Sequence, residues 1–253
     1  LGSEPERVDG SAPLHAVEDT STDPTWSLRR VVLGVVVTTA AVTAISYATP
    51  DAYVATAVGL GFLAATYVLV LRHSAGFVAA HGLSLGGLFE PTRLSPARLA
   101  RDGVTALAWA LGFFTIVAVP FALGFRAWFP VRHAFDLRAA LGALDTYLGQ
   151  LLVIALPEET FFRGFVQSEL EPLFTRRVRV FGAEVSPAIV VASAIFAVGH
   201  LLTSPQPSRL AVFFPSLLFG FLRTRTRGVG AGVLFHASCN VLSSSLSRGF
   251  GLS

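Results

Sequence analysis

Three short groups of residues in the second half of this chain carry the chemistry. Glu158 and Glu159 are followed by Arg163, Phe196 stands four positions before His200, and His236 stands four before Asn240. A carboxylate with an imidazole can deprotonate water, and a second imidazole with an amide can donate hydrogen bonds to a developing oxyanion. That inventory suits hydrolysis of an amide by direct attack of water. On a helix Glu159 and Arg163 share a face and form an ion pair. Glu158 is rotated away from Glu159 by about 100° and has Phe161 and Phe162 as its i+3 and i+4 neighbours. One carboxylate is then neutralised and the other is set against aromatic rings, out of water, a setting that suits a general base.

Each group has a plainer explanation when taken alone. Pro157 can start a helix just before the acidic pair, leaving two solvated charges at a membrane surface. His200 near a helix end can be a satisfied structural group. His236 with Asn240 can be an interhelical hydrogen bond that holds a bundle together. Their depths argue for one site. At 1.5 Å of rise per residue, His200 lies about 18 Å from the inner end of its helix counted from Ala188, and Glu158 about 15 Å from Ser168. Counted from Gly228, His236 lies about 12 Å deep and Asn240 about 18 Å.

The elements that must bring them together are apolar helices. The chain has 253 residues, of which 53% are hydrophobic and 14% charged, with a mean hydropathy of +0.63. Soluble domains carry about 25% charged residues. The expected fold class is therefore all-α, a polytopic transmembrane helical bundle with a buried polar site. Seven spans are expected at about 31–48, 53–71, 104–123, 139–168, 187–203, 210–222 and 228–243, set against the roughly 20 residues a bilayer core requires, the sixth and seventh being short. Residues 1–27 are polar and acidic and read as a disordered cytoplasmic tail. The bundle occupies 28–243, with the chemical motifs in 145–243, and 244–253 reads as a short polar tail. Residues 82–102 read as an interfacial amphipathic segment.

All 19 basic residues are arginine, and they are expected in short loops between the apolar runs. With the N-terminus cytoplasmic, thirteen fall on inner segments, five on outer ones and Arg7 in the tail, which sets the orientation of a multi-pass membrane protein. The basic charge is topology charge rather than a nucleic-acid surface, and no glycine-rich phosphate loop points to a nucleotide. The single cysteine, Cys239, excludes a disulfide framework and cysteine-rich metal sites, and it is turned away from His236 on their helix. His15, His73, His81 and His133 have no polar partner at helical spacing and are expected at the surface.

Glu158-Glu159-xxx-Arg163, Phe196-xxx-His200 and His236-xxx-Asn240, in this order within apolar helices, resemble the three motifs of the CPBP family of glutamate-type intramembrane endopeptidases. That family includes the type II CaaX prenyl proteases and bacterial homologues of bacteriocin processing or self-immunity. The resemblance spans about residues 145–243. It implies an endopeptidase of the bacterial cytoplasmic membrane acting on a membrane-anchored or lipid-modified protein, without a metal or other cofactor. It implies Glu158 as the base that activates water with His200 assisting, and His236 with Asn240 as the oxyanion site. Glu159, Arg163 and Phe196 would play structural or supporting parts. The stretch from Pro157 to Gln167 is similar to the myxosortase-like subgroup, proposed to release or sort proteins bearing a C-terminal membrane anchor.

Two other functions use the same residues. A zinc-dependent membrane protease would take Glu158, Glu159, His200 and His236 as ligands, although no His-Glu-xx-His helix occurs. A non-enzymatic protein, either a bacteriocin-immunity scaffold or a proton-coupled transporter, would use buried Glu and His as a proton relay. Against transport, the two halves lack paired helices interrupted by Gly or Pro.

Overall fold

The computed structural model describes residues 23–88, 94–131 and 133–252. Most of the expected acidic tail, together with Arg93 of the 82–102 segment, lies outside the described residues. The described chain is an all-α bundle, as the composition requires. Its helices are α1 (Leu28–Ala48), α2 (Asp51–Leu71), the short α3 (Ala75–Ala80), α4 (Pro96–Trp128), α5 (Leu137–Leu173), α6 (Ala188–Thr203), α7 (Phe213–Thr226) and α8 (Gly230–Gly249). An antiparallel hairpin, β1 (Val178–Val180) and β2 (Ala183–Val185), joins α5 to α6. Helices α1, α2, α4 and α5 are long and apolar enough to cross a membrane, and α6 is a shorter apolar helix. Each of the seven expected spans falls on one of these helices.

Local chemistry sets the helix ends. Pro50 separates α1 from α2, because its ring fixes φ and it donates no hydrogen bond. Ser95 accepts from the Arg98 amide ahead of Pro96 at the start of α4. Asp136 accepts from the amides of Arg138 and Ala139 at the start of α5. α8 runs past residue 243, where a polar tail was expected, to Gly249, and Leu246 and Phe250 are buried against Phe125 there.

Neighbouring ends fix the alternation. Trp26 donates to the Glu169 carbonyl at 2.5 Å, the Val229 amide donates to the Gly82 carbonyl at 3.0 Å, and Arg223 donates to the Ala80 carbonyl at 3.1 Å. One end of the bundle therefore gathers the starts of α1, α4, α6 and α8 and the finishes of α2, α5 and α7. At the other end, Tyr47 reaches the Leu202 carbonyl and the Asp136 amide reaches the Gly249 carbonyl. Among the described residues, eleven arginines lie at the first end and four at the second.

Helix α5 is the central post. Its turns widen to i→i+5 spacing at Gln150–Ala155 and again at Thr160–Gln167. All eight residues of the second wide stretch are buried. Phe161, Phe162 and Phe165 pack there with Phe62 and Phe196. Close approach of α2 to α5 depends on Gly59, where a Cβ would stand 2.4 Å from the Val153 carbonyl oxygen.

Three further expectations need correction. Residues 82–87 turn into the protein, with Leu83, Gly86 and Gly87 buried, so this part of the 82–102 segment is not interfacial. Arg223 is not a loop arginine. It is buried in α7, donates to Ser168 Oγ at 2.7 Å and faces Glu171 at 3.9 Å. His81 is also buried. Its Nδ1 donates to the Phe77 carbonyl at 2.8 Å, and its Nε2 lies 3.0 Å from Glu169 Oε1, which also binds Arg30. Spacing could not reveal that partner, which lies 88 residues away in the chain.

Candidate active site

The groups from α5, α6 and α8 converge around the middle of α5. Glu159 is fully buried and serves two partners. Its Oε2 lies 3.2 Å from Arg163 Nε, one turn further along α5, and its Oε1 accepts from His236 Nδ1 on α8 at 3.0 Å. Room for this carboxylate comes from Gly232, where an added Cβ would lie 3.1 Å from Glu159 Oε2.

Arg163 is 1% exposed and spreads its charge over several neighbours. One nitrogen donates to Ser216 Oγ at 2.6 Å and to the Ser216 carbonyl at 3.2 Å, which ties α5 to α7. The guanidinium also lies over the rings of Phe196 and Phe219, at 4.6 and 5.1 Å from their centroids. Phe196 is thus the wall shared by both halves of the site, since it also meets His200 at 4.4 Å and His236 at 6.0 Å between ring centroids.

His236 is held on three sides. Phe219 stacks on it at 4.6 Å, Glu159 accepts a hydrogen bond from its Nδ1, and its Nε2 faces Glu158 Oε2 at 3.8 Å. Glu158 differs sharply from its neighbour. Its Oε2 is buried without a hydrogen-bond partner, and the residue lines a small cavity of about 40 Å³. The same cavity is lined by His200 with Phe62, Phe162 and Thr203. His200 donates from Nδ1 to the Phe196 carbonyl at 3.1 Å, so its Nε2 keeps a free lone pair.

Asn240 donates from Nδ2 to Gln150 Oε1 at 3.0 Å. Sequence reasoning missed Gln150. The signal was a polar residue inside an apolar span, eight positions before Glu158 and so about two turns away on one side of α5. Ser216 and Phe219 were also missed, since nothing in α7 marks them from spacing alone. Cys239 faces another way, packing against the cluster around Ala106, Phe219 and Phe235. Among the described residues, no three His, Cys, Asp or Glu side chains converge closely enough to hold a metal ion.

A helical membrane bundle with a carboxylate pair, a buried arginine and two imidazoles at its centre belongs to the class of polytopic membrane proteins that keep polar groups away from lipid. Residues 140–242 match the family model described as Rce1-like, type II CAAX prenyl endopeptidase Rce1-like. Over residues 140–242, which hold all three motifs, the chain is similar to the CPBP/Rce1-like family of membrane-embedded peptide hydrolases of the CAAX-protease type. No curated protein and no solved structure matches the chain.

Proposed function

We propose that the chain is an intramembrane endopeptidase of glutamate type, with Glu158 as the base and a membrane-anchored or lipid-modified protein as substrate. The observation that carries this reading is that Glu158, whose Oε2 is buried without a hydrogen-bond partner, lines a small cavity together with His200. About 40 Å³ of accessible space is enough for a water molecule. Water there would give a proton to Glu158 and a hydrogen bond to the lone pair on His200 Nε2. The resulting hydroxide attacks the carbonyl carbon of the scissile amide. Asn240, through its second N–H, and His236, in the imidazolium form through Nε2–H while Nδ1–H stays on Glu159, then donate to the tetrahedral oxyanion. As the C–N bond breaks, Glu158 returns its proton to the leaving nitrogen, so both carboxylate and catalyst are regenerated.

Glu159 and Arg163 have positioning roles in this scheme. Glu159 holds the His236 ring through Nδ1, which leaves Nε2 directed at Glu158. Arg163 pairs with Glu159, so that carboxylate does not compete with Glu158 as the base. The excess of arginine at one end of the bundle supports placing that end, and with it the start of α1, in the cytoplasm. Likeness to the myxosortase-like subgroup supports a substrate with a C-terminal membrane anchor.

The test is cleavage of an anchored peptide by purified protein in bilayers, wild type against Glu158→Gln. That substitution keeps the shape and removes the basicity. Loss of cleavage by the folded variant is expected, and undiminished cleavage would refute the assignment.

A further inference from the structure

The turn between β1 and β2 contradicts the ordinary rules for its sequence. Phe181 and Gly182 are its two central residues, with φ of +43° and +79°. Two-residue hairpin turns with both φ values positive favour Asn, Asp or Gly, because a Cβ crowds the backbone there. Phenylalanine stands at the first position, and its ring meets the protein only edge-on at Phe221, 6.5 Å between centroids, which leaves Phe181 81% exposed. Val178 and Val180 beside it are 56% and 37% exposed. Arg176, Arg177 and Arg179 are all exposed, against one exposed carboxylate on the hairpin, Glu184, opposite Arg179.

The tip is nevertheless held in place. Arg225 donates from Nε to the Phe181 carbonyl at 3.0 Å, and its guanidinium lies 4.5 Å over the Trp109 ring of α4. The hairpin therefore presents a fixed aromatic tip and an apolar edge among three arginines. It does so at the arginine-rich end, between the finish of α5 and the start of α6. Aromatic rings partition into the interfacial layer of a bilayer, and arginines there pair with anionic headgroups.

We propose that the β1–β2 hairpin is a membrane-surface anchor. Phe181, with Val178 and Val180, enters the interfacial layer of an anionic leaflet, and Arg176, Arg177 and Arg179 bind the lipid phosphates. The hairpin leads within three residues into α6, which carries Phe196 and His200. Lipid that holds the hairpin thus holds the entry of α6.

Two measurements on the full chain test the proposal. The first compares wild type with Phe181→Asn, a change that suits the turn better, by thermal unfolding in neutral detergent and after adding phosphatidylglycerol. The variant should match or exceed wild type in detergent and lose the gain that the anionic lipid gives to wild type. A lowered midpoint in detergent, an equal gain in both proteins, or no gain in either overturns the proposal. The second adds a probe, Phe181→Trp, in phosphatidylglycerol vesicles whose lipid chains are brominated near the headgroup. The emission beyond that of wild type should be blue-shifted and quenched. Emission of a water-exposed indole, unquenched by the bromolipid, would show the tip in water or against another protein and would sink the proposal.

Discussion

His236 on α8 donates from Nδ1 to Oε1 of Glu159 on α5 at 3.0 Å. The residue adjacent to the proposed base therefore aims the imidazole that faces that base. Two successive glutamates do different work, and their substitutions should separate.

Glu158→Gln is expected to abolish cleavage and leave the thermal midpoint close to that of wild type, because Glu158 Oε2 has no hydrogen-bond partner to lose. Glu159→Gln removes a fully buried charge from between Arg163 and His236 and should destabilise the fold by about 3–5 kcal/mol, the usual cost of breaking a buried ion pair from one side. Unfolding curves and activity of the two variants in one detergent decide the matter. Equal destabilisation by both would remove the distinction.

Gln150 should act through Asn240. Gln150→Leu deletes the acceptor for Asn240 Nδ2 and frees the amide to rotate, so turnover should fall by about tenfold or more with KM little changed, less than the roughly hundredfold or greater loss typical of removing an oxyanion donor outright. Gln150→Glu retains an acceptor and should recover part of the loss. Added to Asn240→Ala, Gln150→Leu should have no further effect. Full additivity of the pair would show that the two residues do not work together.

Gly59→Val should weaken the packing of α2 on α5. Even the first side-chain carbon would fall 2.4 Å from the Val153 carbonyl, so the helices must separate. Overpacking of this kind costs about 1–3 kcal/mol. The measurement is the thermal midpoint, and an unchanged value would mean that the two helices are free to part.

Glu169→Gln should destabilise the arginine-rich end of the bundle. Its carboxylate joins Arg30 and His81, and without it those two groups face each other with no anion between them. A loss of about 3–5 kcal/mol is expected. Protease susceptibility of α1 in detergent should rise with it, and unaltered susceptibility would argue that α1 is held by its apolar contacts alone.

The helices and the three motifs were legible because both follow from short-range rules. Apolar runs mark spans, and residues four apart share a face, as Glu159 with Arg163 and Phe196 with His200 do here. What spacing could not supply was partnership across the bundle. His81 reads as a surface residue because Glu169 is 88 positions away, and nothing in the sequence singles out Gln150 because its partner Asn240 is 90 positions away. The β1–β2 hairpin was missed for a different reason. Its turn carries a phenylalanine where a signal residue would normally stand.

The crowding around α5 has a consequence for how the protein is made. During synthesis α5 reaches the bilayer before α6, α7 and α8 exist, yet the groups that satisfy Arg163 and Glu159 from outside, Ser216 and His236, belong to those later helices. Each ionised side chain placed alone at mid-membrane costs about 2.5–3.5 kcal/mol on insertion scales. Until the last three helices arrive, the Glu159–Arg163 pair within α5 is its own neutralisation, so that ion pair serves the nascent chain before it serves the finished enzyme.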